Sequence, residues 1–149
     1  MSRIEKSIDI SRSPEEVFSY VMDPSHMPEW QESAVAARKL SDGPLAVGSR
    51  IHVKRRIGRR EMPMTMEVRE LVPSRSWHFH GVDGPVRGDV QGTIEPLDDG
   101  RRSRLTLSID FESHGIGKVL VPFMVKPHIR KEMPRNEEHL KELMESGAR

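Results

Sequence analysis

The stretch Ile4-Glu5-Lys6-Ser7-Ile8-Asp9-Ile10-Ser11-Arg12-Ser13-Pro14-Glu15-Glu16-Val17-Phe18 changes its period halfway along. Ile4, Ile8 and Ile10 share a period-two face, which is the pattern of a β-strand. Ser13-Pro14-Glu15-Glu16 then combines a serine cap, a proline at the first helical position and a glutamate three residues after the cap, so the spacing predicts a helix start. Val17, Phe18, Val21 and Met22 fall on one side of that helix. Asp23-Pro24 ends it, because the proline ring disfavours helical geometry at Asp23. A second short helical piece, 25–30, follows with its own Pro28.

Beyond residue 34 the chain reads as strands separated by turn signals at near-regular spacing, which indicates an antiparallel meander. The turns are Ser41-Asp42-Gly43-Pro44, Ile57-Gly58-Arg59-Arg60, Val72-Pro73-Ser74, Asp83-Gly84-Pro85 and Asp98-Asp99-Gly100. With the N-terminal strand they predict seven strands, near 3–11, 34–41, 49–57, 61–72, 76–82, 87–97 and 102–112. After Ser113-His114-Gly115 the period changes again. Ile116, Leu120, Phe123, Met133, Leu140 and Met144 recur at helical spacing, and the segment reads as one bent helix of about thirty residues or two helices joined near Pro134.

Alternation also assigns faces. Ile51, Val53, Arg55 and Ile57 share one face of the third strand, opposite His52, Lys54 and Arg56. Met62, Met64, Met66 and Val68 share one in the fourth, and Trp77 and Phe79 in the fifth, opposite His78 and His80. Val90, Gly92 and Ile94, then Leu105, Leu107, Ile109 and Phe111, do the same in the last two. A sheet with one long helix covers one face and leaves the other to water. The covered face is furnished with unbranched methionine, and Gly88 and Gly92 contribute no side chain to it, which suggests space for an apolar ligand.

Composition narrows the function classes. Of 149 residues, 24 are Lys or Arg and 23 Asp or Glu, a net charge of +1 that argues against a dedicated nucleic-acid or anionic-membrane binder. The basic hairpin Lys54, Arg55, Arg56, Arg59 and Arg60 has no aromatic neighbours to stack bases and reads as a solvated turn. Cysteine is absent, which removes disulfides, thiolate nucleophiles and cysteine-held metals. No signal-peptide pattern and no bilayer-length apolar run is present, so stable membrane insertion is not expected and a cytoplasmic location is. The sequence leaves a homodimer open.

The element order, together with Ile8 to Ile10, Ser13-Pro14-Glu15-Glu16-Val17-Phe18, Asp23-Pro24, Pro28-Glu29-Trp30, Val47-Gly48-Ser49, Val68-Arg69-Glu70-Leu71-Val72-Pro73 and Leu140-Lys141-Glu142-Leu143, resembles the START-like, or Bet v 1-like (SRPBCC), superfamily. The likeness is nearer to its polyketide cyclase/dehydrase and lipid-transport branch and covers nearly the whole chain. It implies an α+β helix-grip fold over a single domain, 1–149: a seven-stranded curved antiparallel sheet wrapped around a long C-terminal helix, with two short helices after the first strand. It also implies a binding or carrier protein for a lipid, polyketide or similar aromatic molecule held between sheet and helix. The alternative it carries is a cyclase or dehydratase. Cyclases on this scaffold use Arg, His, Tyr or Trp in the cavity, and the sole tyrosine, Tyr20, falls on the first helix, which favours the binder. Caps, turns and core positions identify a fold better than a chemistry.

Arg55 is the sharpest candidate for chemistry, since a guanidinium on an apolar face needs a partner and can grip an oxyanion with two donors. As an enzyme, the protein would use Arg55 to stabilise an enolate and His114 to move a proton. His128 could equally supply a proton near the cavity mouth, but reads first as a surface residue. The expected ligand-binding residues are Trp30 on the rim, Val53 and Arg55 on the third strand, Met64 and Met66 on the fourth, and Trp77 and Phe79 on the fifth. Val90, Leu107 and Ile109 follow on the last two strands, and Leu120, Phe123 and Met124 on the C-terminal helix. His78 and His80 could chelate a metal only with a further ligand, so neither a metal nor a cofactor is expected.

Overall fold

The computed structural model describes residues 3–84, 86–113 and 115–146, apart from the side chains of residues 113, 117 and 119. Strand β1 (Ile4–Ile10) leads into α1 (Pro14–Val21), a 3₁₀ turn (Pro24–His26) and α2 (Met27–Trp30). Six strands follow: β2 (Ala34–Lys39), β3 (Arg50–Ile57), β4 (Arg60–Val72), β5 (Ser76–Gly81), β6 (Val86–Leu97) and β7 (Arg102–Ser113). The chain closes with α3 (Gly117–Leu120), a π-helical turn (Val121–Val125) and α4 (Lys126–Glu145). All neighbouring strands are antiparallel, in the order β1-β7-β6-β5-β4-β3-β2. This is the helix-grip α+β architecture: a curled sheet, two short helices after β1, and a long C-terminal helix against the sheet.

The local chemistry is the one the sequence spells. Ser13 Oγ accepts from the Glu16 amide and Glu16 Oε1 accepts from the Ser13 amide, a reciprocal capping box that satisfies two free donors at the start of α1. Asp23 Oδ1 accepts from the Ser25 amide at 3.0 Å and caps the next turn. Register shifts between Ala34 and Ala36 and between Val68 and Glu70 are bulges, which bend the strands and help the sheet curl.

The core lies on the inner face of the sheet. Ile51, Val53, Met62, Met64, Met66, Val68, Trp77, Phe79, Ile94, Leu105 and Leu107 are buried there, as the alternation requires. Ile129, Met133, Leu140 and Met144 of α4 close it, with Val17, Tyr20 and Val21 of α1.

Two points are corrected. The C-terminal segment is the single long helix, the first of its two readings, and only the alternative joint at Pro134 falls away, since α4 continues through that residue. Pro134 and Arg130, whose carbonyl loses its helical donor, both lie on the exposed side, where solvent can reach the freed carbonyl. The irregularity lies earlier, at 121–125, where the Lys126 amide donates to the Val121 carbonyl. Pro127 would clash with the carbonyl of Phe123 in a regular α turn, and the wider π turn gives its ring room. The second correction concerns Gly92. It leaves no space, because the Trp77 ring lies across it: a Cβ at position 92 would sit 2.2 Å from Trp77 carbons. Gly88 does face open room, with only ordinary contacts to Phe111 and Met66 near 4 Å.

Candidate functional site

Between the inner face and α4 lies a cavity of about 90 Å³. Its wall is almost wholly apolar, and four of its side chains are methionines: Met27 of α2, Met64 and Met66 of β4, and Met133 of α4. Trp30 and Trp77, the only tryptophans in the chain, both line it. Val90, Ile109 and Phe111 line it too and stay half-buried, whereas Leu105 farther along β7 is fully buried.

One end of the cavity is polar. Arg55 reaches it from β3, Gln31 from the loop after α2, and Glu132 and Asn136 from α4, where a spacing of four puts both on one helix face. Arg55 Nη2 donates to Gln31 Oε1 at 2.7 Å and Nη1 to Ser33 Oγ at 3.0 Å. Ser33 passes the interaction on, since its hydroxyl and amide donate to Glu132 Oε2 at 3.0 and 3.1 Å. Asn136 Nδ2 donates to the same oxygen at 2.7 Å, and His128 Nε2 lies 3.1 Å from Oε1. The result is a relay from Arg55 through Ser33 to Glu132 and out to half-buried His128.

The charges within this relay stabilise one another. Burial would push the Glu132 carboxyl up, but hydrogen bonds from Asn136 and Ser33 and the Arg55 charge outweigh it and hold the group below the usual carboxylate range. Burial presses Arg55 down, opposed by the charge of Glu132. The guanidinium remains charged, since its ordinary value is so high. Of its five N–H donors, Gln31 and Ser33 take one each. The arrangement can therefore hold an apolar body in the methionine-lined space and an oxygen-bearing group at Arg55.

The expected residues divide cleanly. Trp30, Arg55, Met64, Met66, Trp77, Phe79, Val90, Leu107 and Ile109 come together around the cavity. Val53 is fully buried in the core and does not line it. Leu120 lines a different hollow, with Ile116 and Met62, and Met124 packs partly against the core outside the cavity. Phe123 is 81% exposed. The π turn explains Phe123: its extra residue rotates the helix surface, so Val121 and Val125 are buried and Phe123 is turned outward, while Leu120, before the turn, is buried in the core beside the other hollow. His114 lies outside the described residues. His128, half-exposed as its surface reading requires, also touches the Glu132 carboxylate.

Sequence reasoning missed Gln31, Glu132 and Asn136. The available signal was the pair Glu132 and Asn136 beside Ile129 and Met133, two polar groups at helical spacing along an apolar stripe. Their partners Ser33 and Arg55 are about a hundred and about eighty residues away along the chain, a distance that local periodicity does not bridge.

A sheet that grips a helix over a lined cavity defines the helix-grip class of proteins. The sequence matches the family described as polyketide cyclase / dehydrase and lipid transport over residues 1–145, and the chain belongs to that family. None of the curated proteins matches it. Among solved structures it is similar to the Zhui aromatase/cyclase from Streptomyces sp. R1128 (TM-score 0.81, 13% identity, covering 99% of this chain and 95% of that one). It is also similar to TTHA0849 from Thermus thermophilus (0.79, 13%, 99% of each chain) and to a START superfamily protein from Mycobacterium smegmatis (0.72, 18%, 99% and 97%). It spans 47% of the di-domain aromatase/cyclase BexL, at a TM-score of 0.71 and 17% identity. At these identities the likeness is one of fold.

Proposed function

We propose that the protein binds or carries a small hydrophobic molecule with one oxygen-bearing end, its apolar body between the sheet and α4 and its polar end at Arg55. The observation that carries this reading is a cavity lined by apolar side chains except at one end, where Gln31 and Ser33 take two of the five N–H donors of Arg55 among the described residues. The space is smaller than the ~150 Å³ that accepts a benzene ring in a rigid apolar core. A ligand therefore enters by moving the lining, and unbranched Met27, Met64, Met66 and Met133 are the side chains that change rotamer at least cost.

The test uses the two tryptophans as built-in reporters. A panel of aromatic carboxylates such as 2-naphthoate, medium-chain fatty acids and sterols is titrated against the ligand-free chain, following tryptophan emission and Tm. At least one class is expected to shift both, and Arg55→Met to weaken binding of the carboxylates roughly tenfold or more, the loss of a charge-assisted bidentate contact. No response to any class would overturn the reading.

A second reading rests on the relay itself. Arg55, Ser33, Glu132 and His128 link a cavity cation to a titratable imidazole near solvent, an arrangement that supports an enolate-forming cyclase or dehydratase. Turnover of a poly-β-ketone by the wild type, lost in Glu132→Gln with binding retained, would favour it over simple carriage.

A further inference from the structure

The outer face of the sheet carries a cluster that the cavity does not use. Strand alternation turns His78 and His80 of β5 away from the core, opposite Trp77 and Phe79, and the β5–β6 register sets Asp89 directly beside His80. Asp89 Oδ1 lies 2.6 Å from His78 Nε2 and 2.7 Å from His80 Nδ1, and the three ligand atoms fall within 4.8 Å of one another. A strand pair with two histidines lacks a third ligand; the neighbouring strand supplies it.

We propose that His78, His80 and Asp89 form a binding site for a first-row divalent metal ion of the zinc type. Two imidazoles and one carboxylate are a donor set that such ions use, with the remaining position left to water. All three side chains are half-buried, reachable from solvent yet fixed by the sheet. Their outer partners fit the role as well. Glu112 Oε2 lies 3.4 Å from His80 Nε2, the ring nitrogen that points away from the site, and a carboxylate there orients a ligating imidazole. Arg3 Nη1 takes Asp89 Oδ2 at 2.9 Å and leaves Oδ1 to the histidines.

Without metal, the two imidazole N–H groups hydrogen-bond a single oxygen. A bound cation takes the place of those N–H groups, each proton moving to the other ring nitrogen or to solvent, and ligand atoms at ~2.0–2.1 Å from a tetrahedral ion sit about 3.3 Å apart, so both nitrogens draw back from Oδ1 and settle at that spacing from each other, inside the 4.8 Å that now bounds the three atoms. Hydrogen bonds from His78, His80 and Arg3 outweigh burial and hold the Asp89 carboxyl down at about 2, so it is ionised at neutral pH. The Arg3 charge opposes the ion and weakens its binding. This inference departs from the expectation of no metal and is independent of the cavity and its ligand.

The experiment uses the full chain without an affinity tag, stripped with chelator and titrated with Zn²⁺ by calorimetry and Co²⁺ by visible absorption. One ion per chain, a ligand-field band for Co²⁺ and a higher Tm with Zn²⁺ are expected. His78→Ala and Asp89→Asn should each weaken binding roughly tenfold or more, while His52→Ala and His128→Ala leave it unchanged. In the wild type, Co²⁺ should broaden the amide resonances around 78–80 and 89 first, a readout that needs no variant to fold. Failure to bind either ion, binding retained by a folded His78→Ala/His80→Ala protein, or broadening centred elsewhere would overturn the proposal.

Discussion

The two ends of the interface between α4 and the sheet are built differently. At the C-terminal end Leu140 and Met144 are fully buried, in the same core cluster as the fully buried Ile10, Val17 and Leu105. Toward the other end, Ile129 and Met133 face Val90, Ile109 and Phe111 across the cavity, Gly88 adds no bulk, and the helix is broken by the π turn before Lys126. One helix thus serves as an anchor and as a loosely fitted cover. The inner strands are continuous beneath both, so the difference lies in the side chains and not in the topology.

The sharpest way to break this comparison is truncation at each end. Leu140→Ala should cost about 2–5 kcal/mol of stability, toward the upper part of that range, because its neighbours are close-packed and a new hole opens. Ile129→Ala, which borders space already present, should lie toward the lower part. Equal losses in denaturant titrations would show that the ends are packed alike.

The anchored end contains one exception, and it sharpens the comparison through pH. Glu137 lies on the stripe of Met133, Leu140 and Met144, is 1% exposed, and has no hydrogen-bond partner for either carboxylate oxygen among the described residues. Burial pushes its carboxyl up to about 7, against the pull of the Lys6 charge from β1. The folded chain therefore holds a proton that the unfolded chain releases near 4.5, so stability falls as pH rises from about 4.5 to about 7 and levels off above. Glu137→Gln should leave stability at pH 4 nearly unchanged and raise it at pH 8 by an amount on the order of 3 kcal/mol. A gain equal at both pH values would remove the titration from the account.

Gly92→Ala should destabilise by about 1–3 kcal/mol, since its methyl group collides with the Trp77 ring and forces it into the cavity. A red- or blue-shifted tryptophan emission should accompany the loss. The smallest effect belongs to Phe123→Ser on the exposed rim of the π turn, within about 0.5 kcal/mol by thermal melts. A larger cost would mean that Phe123 contacts the core after all.

The fold was legible because its determinants are local. Ser13-Pro14-Glu15-Glu16 caps a helix wherever it occurs, and Met62, Met64, Met66 and Val68 point one way in any extended strand. The site was legible only as far as those rules reach. Arg55 could be placed on the inner face by alternation, but its partners Ser33 and Glu132 come from two distant segments that meet only in three dimensions. Gly92 read as empty because a sequence shows a missing side chain and not the Trp77 ring from the adjacent strand that occupies its place. Phe123 read as inward-facing because a constant period of 3.6 was carried through a turn that has a longer one. His78 and His80 were visible as a pair, and their third partner depended on strand register.

The central claim is that the loosely filled end of the α4 interface is a binding space and not merely an imperfect core. Val90→Phe tests it directly, because the added ring projects into the cavity at that end while leaving Leu140 and Met144 undisturbed. Wild type and variant are titrated with whichever probe shifts the wild-type tryptophan emission, and their melting temperatures are compared. The account predicts a variant that melts at or above the wild-type temperature and no longer binds. A variant that loses stability as an overpacked core does, or that binds the probe as well as the wild type, would contradict it.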